Sequence, residues 1–226
     1  MDEKRYLQLT RFAIALTAVW ICWTIFDSGM LQKNPVVYAL EAARKNLEDG
    51  RFEEALLQYQ ELYHGDSDNL AALRGMAQAL VQLGKEKEMK VTAKREMAMD
   101  KRGSAADHYK LAMSYYDQVI ARESALASSS DRQRVLGVDH ANRGILRDLM
   151  GDYPGALTDY DRSLHLEPEV AEGPGFMTRF MRNQAERPPT IADRADYLRR
   201  ELAKPKAEQR LRMPTLDARQ RAYSMD

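Results

Sequence analysis

The sequence predicts an all-α chain, a row of helical hairpins preceded by one apolar helix. Three observations predict it. Near the amino terminus stands an uncharged fifteen-residue run, FAIALTAVWICWTIF, Phe12 to Phe26. After it, apolar residues recur at intervals of three and four, the period of one helical face. Finally, the spacing of Gly50, Phe52, Ala55 and Tyr59 returns as Gly151, Tyr153, Ala156 and Tyr160.

The apolar run by itself spans about 22 Å as a helix, short of a hydrocarbon core roughly 30 Å thick. Extended from Leu9 to Met30 it reaches about 33 Å, with Arg11 able to snorkel and Asp27 at headgroup depth. A single anchor is expected at residues 12–30, in contact with the lipid bilayer, behind an amino-terminal segment at 1–11. A cleaved secretion signal shares the apolar length and the basic start, but DSGMLQKN lacks a small-x-small cleavage pattern. A buried helix of a soluble domain would carry a polar stripe. Lys4, Arg5 and Arg11 precede the run, whereas Lys33 is the basic residue in the fifteen after it. That bias predicts a cytoplasmic amino terminus and a periplasmic bulk, as in a bacterial inner membrane. The one cysteine, Cys22, lies inside the run, so the exported part has no thiol for a disulfide, a nucleophile or a metal.

Asn34 caps and Pro35 starts a helix to about Glu48, and Asp49-Gly50 turns the chain. From Arg51 to Tyr63 the stripe Phe52, Ala55, Leu56, Tyr59, Leu62 and Tyr63 predicts the next helix. A third is expected from Leu70 to Leu83, stopped by Gly84. Lys85 to Arg102 is rich in helix formers with a poor apolar stripe and reads as an insertion or extra helix. Further helices are predicted over Ser104–Leu126, Asp131–Met150 and the Tyr153–Leu164 segment, with Pro168 beyond its end. Pro174–Gln184 reads as one more. Thr190, with Asp193 three residues on, caps the next, to Leu202. Residues 203–226 form an extended carboxy-terminal arm that must dock or stay mobile.

In the recurring motif glycine permits a reversal, alanine lets two helices approach, and the aromatics fill the space between hairpins. The pattern resembles the tetratricopeptide repeat, whose units are about 34 residues long. The best unit, 137–170, carries Gly144, Gly151, Tyr153, Ala156, Tyr160, Leu164 and Pro168; Arg147 stands where a large apolar residue is usual. The first, 36–69, carries Ala43, Gly50, Phe52, Ala55 and Tyr59, with Asn46 at the place of Arg147 and Ser67 at that of the proline. The resemblance implies a short solenoid over 36–202 whose concave surface binds partner peptides. The positions then expected to meet a partner are Asn46, Arg74, Gln78, Asn142 and Arg143.

Charge is balanced, 34 basic against 34 acidic residues, so neither nucleic-acid binding nor disorder is demanded. The front of the domain is mildly acidic and the last quarter mildly basic. His64, His108, His140 and His165 are isolated from one another in sequence, and the glycines form no phosphate-cradling loop. No catalytic residue, cofactor or metal is expected. The chain reads as a membrane-anchored protein-interaction scaffold, or an assembly or accessory subunit of a membrane complex. The alternative is an accessory or catalytic domain whose pocket is supplied by the insertion.

Overall fold

A computed structural model describes residues 3–27, 34–93, 98–126, 129–172 and 189–213, and among them the regular structure is helical, without a strand. Contacts divide the chain into two compact units, Met1–Ala42 and Ala43–Asp226.

In the first unit helix α1 runs over Glu3–Asp27, 25 residues or about 37 Å. Its segment Leu7–Ile25 has a mean hydropathy of 1.3, and every side chain in it is exposed. Among the described residues it is the one helix long and apolar enough to cross a membrane. It begins nine residues before Phe12, and residues 28–30 of the expected anchor lie outside the described residues. The hydroxyls of Thr17 and Thr24 donate to the carbonyls of Ala13 (2.9 Å) and Ile21 (2.8 Å). Each hydroxyl is thereby satisfied by the helix's own backbone.

Helix α2, Pro35–Glu48, starts as expected: the Val36 N–H donates to Asn34 Oδ1 at 3.0 Å, and proline has no N–H to satisfy. The second unit, from Ala43 onward, holds α3 (Phe52–Gly65), α4 (Leu70–Ala93), α5 (Ala98–Ser124), α6 (Ser130–Met150), α7 (Tyr153–Leu166) and α8 (Ile191–Leu202). From α3 onward each helix packs on its neighbours in the chain, and α4 also touches α6. The expected helix at Pro174–Gln184 lies outside the described residues.

Two turns carry the glycines of the recurring motif. Gly50 (φ 80°) and Gly151 (φ 84°) are left-handed, and the Gly151 N–H closes on the carbonyls of Arg147 and Asp148. Gly151→Ala should therefore lower stability by about 1 kcal/mol, read from the denaturant midpoint of the full chain in detergent; an unchanged midpoint would refute the strain. After each turn the matching alanine and tyrosine are buried: Ala55 and Ala156, Tyr59 and Tyr160. Phe52 and Tyr153 are half-buried, and Pro168 opens a short 3-10 turn, Pro168–Ala171, that buries Val170.

Gly84 does not stop its helix. A side chain there would meet the Tyr109 ring at 2.3 Å, so this glycine exists to let α5 approach, and the helix formers after it carry α4 on to Ala93. The same joint recurs where Gly75 faces Tyr59 and Gly144 faces Tyr160. The expected insertion at Lys85–Arg102 is thus largely a lengthening: α4 and α5 have 24 and 27 residues, against 14 for α7.

Apolar clusters among the described residues join successive helices. One joins Ala77, Leu80, Tyr109, Ala112, Tyr116 and Leu146 across α4, α5 and α6. Another joins Ile145, Ala156, Tyr160, Ile191, Ala195 and Leu198 across α6, α7 and α8, and Leu149 packs against both. Helix α8 is started by a complete capping box, with Asp193 N–H on Thr190 Oγ1 at 3.2 Å and Thr190 N–H on Asp193 Oδ2 at 3.0 Å.

Candidate protein-binding site

The five positions expected to meet a partner are engaged inside the domain. Asn46 donates to Gln58 Oε1 and accepts from Arg51 Nε, each at 2.8 Å, closing the α2–α3 turn. Arg74 is only 8% exposed. Its Nε lies 2.9 Å from both oxygens of Asp139 on α6, and its Nη2 donates to Glu123 on α5. Gln78, one turn further along α4, is half-buried, and Asn142 is buried; both take part in interactions of their own. Arg143 clasps Asp159 on α7 at 2.8 and 2.7 Å and reaches Asp117 on α5 at 2.8 Å.

The contacts of Arg74 and Arg143 are charged ties between helices. At the first, two carboxylates share one guanidinium, and burial pushes Asp139 up to about 6 even though Arg74 pulls it down. At the second, burial would raise Asp159, but hydrogen bonds from His140 (2.8 Å) and Arg143 hold its carboxyl below the ordinary range. Arg147 adds a second guanidinium at 3.0 Å, so its charge is used in a tie to α7.

A third arrangement lies on α8. Arg194 donates to both oxygens of buried Asp148 on α6, at 2.7 and 2.8 Å, and stacks 5.4 Å from the Tyr197 ring. Asp148 is also held by the Tyr160 hydroxyl at 3.1 Å. From this fixed position Arg194 Nη2 donates to the Leu211 carbonyl at 2.8 Å. The Tyr197 hydroxyl donates to the Arg210 carbonyl, and the Arg210 N–H donates to Glu201 at 2.8 Å. The Leu211 side chain packs against the α6–α8 apolar cluster. The start of the expected arm, residues 203–213, is therefore docked; residues 214–226 lie outside the described residues. Little in the local sequence announces this beyond Pro205 and an isolated leucine among polar residues.

A depression of about 400 Å³ is lined by Gln60, Glu61, Tyr63, His64 and Met76, none of them from the α4–α5 lengthening. Among the described residues no group of three or more His, Cys, Asp or Glu side chains could hold a metal ion. No family model, curated protein or solved structure matches the chain.

Proposed function

We propose that the chain is a membrane-anchored protein-interaction scaffold built as a short tetratricopeptide-like array, serving as an assembly or accessory subunit of a membrane complex. The observation that carries this reading is the recurring joint of glycine against tyrosine, at Gly75, Gly84 and Gly144, in helices that pack on their chain neighbours. Such arrays hold stable faces of several helices toward other proteins. The exposed apolar segment Leu7–Ile25 supports anchoring through one helix. The basic residues before it support a cytoplasmic amino terminus and a periplasmic array in a bacterial inner membrane.

Two measurements test the reading. A reporter fused after Asp226 should behave as extracytoplasmic; cytoplasmic activity overturns the topology. Retrieval of the tagged full chain from gently solubilised membranes should bring a stoichiometric protein partner. No partner, together with substrate-dependent turnover by the purified chain, would favour the enzymatic alternative.

A further inference from the structure

The face made by Asp148, Arg194, Tyr197 and Glu201 reads backbone. Two successive carbonyls, of Arg210 and Leu211, and the Arg210 N–H are bonded by α8 side chains. The backbone enters extended at Gln209, with φ −69° and ψ 128°. The Gln209 side-chain amide only returns to the carbonyls of Leu202 and Lys204, at 3.4 and 2.9 Å. The side chain that this segment lays against the apolar cluster is that of Leu211. The receiving groups are fixed beforehand: Tyr160 and Arg194 lock Asp148, and Asp148 orients Arg194. Preorganised donors of this kind lower the ordering cost of binding.

We infer that this face is a recognition site for an extended peptide bearing one bulky aliphatic residue. Residues 209–213 occupy it in cis, and a partner's extended segment exchanges with them. Main-chain bonds supply affinity that is blind to sequence, and one apolar pocket supplies the choice, the division of labour in other recognition of extended peptides. A tethered occupant acts at an effective concentration of order millimolar, so weak ligands are excluded until the arm is displaced. The inference deepens the scaffold reading and rests on it for a biological partner, but the site can be tested without one.

The probe is a labelled peptide of residues Lys206 to Met213, titrated into the full chain in detergent micelles. Leu211→Asp removes the cis anchor and leaves the receiving face intact. This variant should bind the peptide at least tenfold more tightly than wild type. A peptide carrying the same Leu211→Asp change should not bind, and adding Tyr197→Phe should weaken binding several-fold with helicity unchanged. Absence of saturable binding to a folded Leu211→Asp chain overturns the proposal. So does loss of helicity in that variant, which would make residues 209–213 part of the core. Wild-type chains that dimerise and are returned to monomers by the peptide assign the occupant to a second copy and overturn exchange with a partner. A chain that captures the peptide but retrieves no protein from membranes keeps the site and removes the scaffold reading; the reverse result removes the site alone.

Discussion

Arg74→Met should destabilise the domain by about 3–5 kcal/mol at neutral pH, because it leaves Asp139 and Glu123 buried together without their cation. Asp139→Asn should cost far less, since Glu123 keeps its pairing with Arg74 and one buried charge disappears. The pair of variants also fixes the sign of a pH dependence. In the fold Asp139 is raised from its ordinary 3.8 to about 6, so the native state holds a proton that the unfolded state releases. That contribution is complete below about pH 4 and is lost as pH rises through about 6, on the order of 2–3 kcal/mol. Asp159 has the opposite sign: its depressed carboxyl stabilises above the ordinary carboxylate range, and that support is lost on acidification. Denaturant unfolding of the full chain at pH 5 and pH 7 separates them. The fall in stability between those values should be absent in Asp139→Asn, and the defect of Arg74→Met should shrink at pH 5. A slope that survives Asp139→Asn assigns the titration elsewhere.

Gly144→Ala should also destabilise the domain, by about 1–3 kcal/mol, against a helix-propensity gain of about 1 kcal/mol that favours alanine. The added carbon would sit 2.7 Å from the Tyr160 ring, which is fully buried. The ring cannot retreat freely, because its hydroxyl is tied to Asp148 and Asp148 to Arg194. Gly84→Ala, at 2.3 Å from Tyr109, should behave alike. Gly65→Ala is the control: nothing lies within 4 Å of its new carbon, so propensity acts alone and stability should hold or rise slightly. Equal thermal midpoints for all three variants would show that the tyrosine joints yield.

Where a residue's role is set by its near neighbours in the chain, the sequence reading agrees with the fold. Gly50 and Gly151 end their helices because the turn itself needs a positive φ, and Thr190 with Asp193 makes a box across three residues. Gly84 shows where local reading stops. A glycine after a helical stripe is either a terminator or a gap for a neighbour, and the neighbour, Tyr109, lies 25 residues onward. Arg74 is similar: its partner Asp139 is 65 residues away, so its place on α4 could be assigned but its burial could not. Docking of residues 203–213 depends on Asp148 holding Arg194 from 46 residues earlier, a contact with no short-range signature. The apolar segment is legible at once, because being long and apolar enough to cross a bilayer is a matter of composition and length.

Asp139 and Asp148 stand nine residues apart on α6, and nine residues make about two and a half turns. They therefore leave the helix on opposite sides, one toward α4 and α5 and the other toward α8. Helix α6 is pinned like an axle held at two bearings, and any roll about its long axis would strain both guanidinium pairs together.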